Sequence, residues 1–162
     1  MRRCRFAAMV GALVWLAAVM GGAVHAGERF TDNGDGTVTD HETSLMWSRS
    51  DNQGNISWRE ARQWVLFTFP YSIPTLYNDW RMPTVSELAT LVPGDPDDKG
   101  YESTCGQRVR IVPRIRLSCG WVWSAETSAI QALVFNFQRG VSYSDRMAHR
   151  KAYRALAVRT IE

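Results

Sequence analysis

The first 26 residues constrain the fold most, because they have the layout of a segment that does not belong to it. Arg2, Arg3 and Arg5 form a basic start, and Phe6 to Met20 are uncharged and mostly apolar. Val24 and Ala26 then place small side chains at the −3 and −1 positions of a cleavage site, ahead of the polar Gly27-Glu28-Arg29. Export machinery reads this three-part pattern. The expected mature chain is therefore residues 27–162, one domain that works outside the cytoplasm, whether periplasmic, at the cell surface or secreted. The alternative is an uncleaved anchor, since Phe6 to Val24 is close to the roughly 20 apolar residues that span a bilayer. Cys4 precedes the apolar stretch instead of following it, which argues against a lipid anchor.

Setting the signal aside changes the electrostatics. The full chain has 19 basic and 16 acidic residues, and losing Arg2, Arg3 and Arg5 leaves 16 of each. The basic excess belongs to the export segment, and net charge gives no support for nucleic-acid binding. Distribution tells more: Gly27 to Glu102 has 13 acidic and 6 basic residues, Ser103 to Glu162 has 3 acidic and 10 basic. Two cysteines remain, Cys105 and Cys119, and an oxidising compartment would pair them. A chain of this length forms one core.

Local patterns predict an α+β order. Asn33-Gly34-Asp35-Gly36 is dense turn chemistry between short β-prone runs, so a β-hairpin opens the domain, and Leu45-Met46-Trp47 is a further strand. Ser57-x-x-Glu60 and Thr84-x-x-Glu87 are capping boxes and predict two helices. The first would place Trp58, Ala61, Trp64 and Val65 on its core face and stop at Pro70; the second would run from Val85 to Val92 before Pro93-Gly94. Thr68 to Asp79 has no clear period and is expected to be a loop. Trp121–Ser124, Ala132–Phe137, Val141–Tyr143 and Tyr153–Val158 then predict C-terminal antiparallel strands.

Four segments in this order resemble the Lcl C-terminal domain family, named for the C-terminus of the Legionella collagen-like protein: Arg29 to Asp40, Leu45-Met46-Trp47, Asp79-Trp80-Arg81-Met82-Pro83-Thr84 with Glu87-Leu88, and Trp123-Ser124-Ala125-Glu126-Thr127. The closing strands, Val134 to Phe137 and Arg154 to Arg159, are also similar. The resemblance implies a C-type-lectin-like fold and an adhesive role at the cell surface, with sulfated polysaccharides as the ligand class known for the founding member. A collagen-like stalk accompanies that member, and no Gly-X-Y tract precedes the domain here.

The candidate binding residues are Arg108, Arg110, Arg114 and Arg116, four guanidiniums alternating with apolar residues between the two cysteines, with Trp121 beside them. If the stretch is extended, Ile111, Val112 and Ile115 anchor it while the arginines project. Guanidinium forks bind sulfate, phosphate or carboxylate through two hydrogen bonds. The competing expectation is that the arginines pair with the acidic first half.

Other chemistry is poorly served. Asp32 to Gly36 has the wrong register for a calcium loop, and the lectin sugar–calcium tripeptides are missing. Beyond the signal only His41 and His149 remain, with no zinc spacing or nucleophile elbow. A carboxylate pair such as Glu126 and Asp145 is what chance provides in any domain with 16 acidic residues. No cofactor, metal or nucleic acid is expected. The expected function is an exported, non-enzymatic module that binds an anionic polysaccharide or surface polymer. The alternative is a structural subunit that docks on another envelope component such as a pilus.

Overall fold

The structure is a computed structural model that describes residues 28–161; the export segment expected at 1–26 lies outside the described residues. Strand β1 (Phe30–Asp32) pairs antiparallel with β2 (Thr37–Asp40), and β2 pairs antiparallel with β3 (Leu45–Ser48). The first turn is made by its own side chains. Asp32 accepts from the Gly34 N–H at 3.0 Å, and Asp35 accepts from the Thr37 N–H at 3.0 Å, the Asx geometry that aspartate favours in turns. Gly36 has φ +89°, a backbone conformation that favours glycine, and a Cβ there would also press on Ile73 Cγ2 at 3.1 Å.

Both capping boxes form. Ser57 caps α1 (Trp58–Gln63) and Thr84 caps α2 (Val85–Thr90), with Glu60 and Glu87 reaching back to the cap amides. After α1 the chain widens into a π-helical turn, Trp64–Thr68, and then tightens into a 3₁₀ turn, Phe69–Tyr71. Pro70 has no N–H for a regular helix ladder. The inward residues become Ala61, Val65 and Phe69, four apart and 0%, 0% and 5% exposed. Trp58 and Trp64, expected on the core face, are only half-buried. Helix α2 stops at Thr90, two residues before the expected Val92.

Strands β4 (Tyr101–Glu102) and β5 (Arg108–Val109) make a two-stranded ribbon. Beyond it, β6 (Trp121–Ser128), β7 (Gln131–Asn136) and β8 (Val141–Arg146) form successive antiparallel pairs, as expected. The expected single strand Tyr153–Val158 is divided. Residues β9 (Tyr153–Arg154) run parallel to β6, whereas β10 (Val158–Thr160) pairs antiparallel with β3. Between them Ala155, Leu156 and Ala157 cross from one sheet to the other with no exposed surface. Two small side chains let the backbone pass through a filled interior.

One core group joins the first sheet to α2 and the 109–117 segment, through Trp47, Leu88, Val109, Ile115 and Phe135; a second lies under α1, around Val65, Trp80, Trp123 and Tyr153. The Cys105–Cys119 disulfide is formed. Its loop is short, and closing it removes unfolded-state entropy worth about 3 kcal/mol. Replacing both cysteines by serine is therefore expected to lower unfolding free energy by about that amount, measured by urea titration; an unchanged midpoint would show that packing alone holds the loop.

Candidate functional site

The segment between the cysteines is anchored by the residues expected to anchor it. Ile111, Val112 and Ile115 are 4%, 6% and 0% exposed. Arg108, Arg114 and Arg116 are exposed, Arg110 is half-buried with its Nε enclosed and without a hydrogen-bond partner among the described residues, and the four take different partners. Arg108 Nη1 donates to the Lys99 carbonyl at 2.9 Å, and Arg110 Nη2 donates to the Asp95 carbonyl at 3.1 Å. Arg116 lies with its guanidinium carbon 4.9 Å from the centre of the Tyr101 ring. Arg114 pairs with Glu28 at 2.5 Å. The fold thus brings Arg108 and Arg110 to one loop, Arg116 to the ribbon strand that follows that loop, and Arg114 to Glu28.

These partners bear on the choice between ligand binding and internal pairing. Among the described residues, only Arg114 of the four has a carboxylate partner. A carbonyl oxygen or an aromatic face orients a guanidinium without cancelling its charge. The nearby aspartates are turned toward their own backbone: Asp95 accepts from the Asp97 N–H at 2.8 Å, and Asp98 from the Gly100 N–H at 2.6 Å. Trp121 is half-buried and packs at ring-centroid distances of 5.4 Å from Tyr143 and 6.3 Å from Tyr153, as part of an aromatic cluster.

A buried polar junction fixes the C-terminal end of the arginine segment. Asp51 accepts from the Ser118 N–H at 2.6 Å, the Ser118 hydroxyl at 2.9 Å and the Gln53 N–H at 2.8 Å. Arg154 Nε donates to the Ser118 oxygen at 2.6 Å and lies 3.8 Å from Asp51. Arg154 Nη1 donates to Asn55 and to the Tyr153 carbonyl. Backbone bonds from Arg116 to Arg49 and from Asp51 to Arg116 extend the junction. Burial pushes the Asp51 carboxyl up, and the bonds from Gln53 and Ser118 with the Arg154 charge only partly oppose it. Burial likewise lowers the Arg154 pKa against the pull of Asp51.

The resemblance-bearing segments serve the scaffold. Arg81 grips Glu87 with two hydrogen bonds, at 2.8 and 2.6 Å, while its backbone pairs with Val158. Trp80 and Met82 on either side are buried. Glu126 Oε1 accepts from the Val85 N–H at the start of α2, the Ala125 N–H donates to Pro83, and Trp123 Nε1 donates to the Ile56 carbonyl. Glu126 is thereby tied to a helix end. Asp145 receives hydrogen bonds from His149, Lys151 and Tyr153, whereas Glu126 Oε2 is buried without a hydrogen-bond partner among the described residues.

The sheets, the two capped helices and the disulfide define a disulfide-bonded α+β domain. Residues 36–159 match the Lcl C-terminal domain family, and the chain belongs to that family. No curated protein matches the chain significantly.

Two carboxylates set opposite pH dependences. Burial pushes Glu87 up, but the Arg81 and Thr84 hydrogen bonds and the Arg81 charge carry it below its ordinary value. Its stabilisation is present above the unfolded glutamate value of about 4.3 and is lost as pH falls through the folded value. The raised Asp51 contributes in the other sense: its part is present below the unfolded aspartate value of about 3.9 and is lost as pH rises through the folded value. Glu87→Gln is expected to cost about 1–3 kcal/mol at pH 7, with the gap to wild type narrowing in acid. Asp51→Ala, which leaves Arg154 buried and unpaired, is expected to cost about 3–5 kcal/mol. Urea unfolding from pH 3 to pH 7 checks both, and an Asp51→Ala protein of wild-type stability would contradict the role given to the junction.

Proposed function

We propose that this chain is an exported, non-catalytic binding module of the adhesion type that recognises an anionic polysaccharide or surface polymer through the arginine segment. The observation that carries the proposal is that Arg108, Arg110 and Arg116 are held by carbonyls or a ring and have no carboxylate partner among the described residues. The fourth, Arg114, has an exposed ion pair, and such pairs contribute roughly 0–1 kcal/mol. A polymer carrying sulfate or carboxylate groups displaces it at little cost. The disulfide and the buried junction hold the segment in place before a ligand arrives, which reduces the ordering entropy of binding. Trp121 then acts by supporting the neighbouring wall of the domain.

Export is supported by the N-terminal pattern and by the paired cysteines, which suit an oxidising compartment. A C-type-lectin-like fold is supported by the closing strand β10, which returns beside β3 in the N-terminal sheet. Family membership supports the adhesive role.

Heparin chromatography tests the ligand class. The purified protein is expected to be retained beyond physiological salt, with retention falling as salt rises because each arginine–anion contact releases counterions. A variant with Arg108, Arg110, Arg114 and Arg116 all changed to Ala is expected to elute early. Elution of wild type below physiological salt, or identical elution of the folded variant, rejects the proposal.

A further inference from the structure

A second surface lies on the outer side of the first helical segment. Inward placement of Ala61, Val65 and Phe69 leaves Phe67 and Tyr71 exposed and Leu66 half-buried beside them. Phe67 is 66% exposed, and Tyr71 and Leu76 are each 80% exposed. These side chains line a cleft of about 410 Å³ with Pro70 and Tyr77. Leu66 also lines a second cleft of about 350 Å³, which includes Trp58 and Met82. Trp58 in turn lines a third, of about 590 Å³, with Ile130 and Met147 at the β6–β7 hairpin and beyond β8. Shared walls at Trp58 and Leu66 place the three clefts side by side as one track of apolar and polar walls, in which Phe67, Tyr71, Leu76 and Ile130 are the exposed large apolar side chains.

Contiguous exposed apolar surface of this kind marks interaction sites in soluble proteins. The track is also charged along its edge. Arg59 lines the third cleft and Arg62 the second, and neither has an ion-pair or hydrogen-bond partner among the described residues. Arg150 and Arg81 lie in the same clefts but are paired with Glu60 and Glu87. Leu66, Leu76, Ile130 and Met147 offer no hydrogen bonds to sugar hydroxyls, so the floor suits the side chains of a polypeptide. Carboxylates on that polypeptide would complement the two unpaired arginines.

We propose that this track docks a segment of another protein that combines apolar side chains with Asp or Glu. The surface is separate from the arginine segment between the cysteines, and its occupant differs from the polymer proposed above. A random twelve-residue peptide library displayed on phage and selected on the immobilised purified protein is the probe. Selected peptides are expected to share aromatic or aliphatic residues with flanking acidic ones and to avoid Lys and Arg. Their capture is expected to fall about tenfold or more on an Arg59→Glu/Arg62→Glu variant and on a Phe67→Ser/Leu76→Ser variant. Both variants should keep the circular dichroism of wild type, and Phe67→Ser/Leu76→Ser, which leaves the charge unchanged, should also keep its heparin retention, which separates failure here from failure of the polymer proposal. Selection without a shared pattern, binding that survives both variants, or displacement of the peptides by heparin would overturn the proposal. So would a wild-type dimer in sedimentation that Phe67→Ser/Leu76→Ser dissolves, because the occupant would then be a second copy of this chain.

Discussion

The junction of Asp51, Ser118 and Arg154 is the contact on which the rest of the domain hangs. It joins three stretches remote in sequence: the loop after β3, the end of the arginine segment beside Cys119, and strand β9. A buried ion pair is not in itself a strong source of stability, since desolvation opposes its attraction. Its value here is selectivity of arrangement. Only one placement of the three stretches gives Ser118 both a carboxylate to donate to and a guanidinium to accept from, and any other leaves a charge buried alone. Asn52 adds to the arrangement by accepting from the Ala155 N–H at 2.8 Å, where the chain starts to cross between sheets.

Arg81 has a parallel role on the other side of the domain. Its side chain completes the Glu87 carboxylate that closes the α2 capping box, its backbone pairs with β10, and buried Trp80 and Met82 flank it. Trp123 to Glu126 do the same for the entries to both helices. The segments that carry the family resemblance are thus fastenings. The surfaces proposed to bind lie elsewhere, on the arginine segment and on the outer side of the first helix, away from these fastenings.

Features that depend on neighbours in sequence were legible from sequence. The capping boxes act over three residues and the first hairpin turn over two, and the cysteine pair followed from counting once the expected export segment was set aside. Features that depend on distant partners were not. Asp51 and Ser118 are 67 positions apart, and neither residue type announces burial. Tyr153 to Val158 alternates small and large side chains whether it forms one strand or two, so the crossing at Ala155–Ala157 was hidden. The arginine segment was visible as a pattern, but backbone carbonyls as its partners have no sequence signal. The outward aromatic track had a weak one: Thr68 to Asp79 holds two tyrosines and a leucine with no period that would turn them inward.

The divided closing strand also sets an order of events. Residues 153–154 extend one sheet and 158–160 the other, with three fully buried residues between them. Neither sheet is complete, and the Asp51 charge has no guanidinium, until this last stretch has been made. Contacts of such long sequence separation delay productive folding. Completion of both sheets is therefore a single event: loss of residues 153–160 would open the two sheets together and leave Asp51 without its guanidinium.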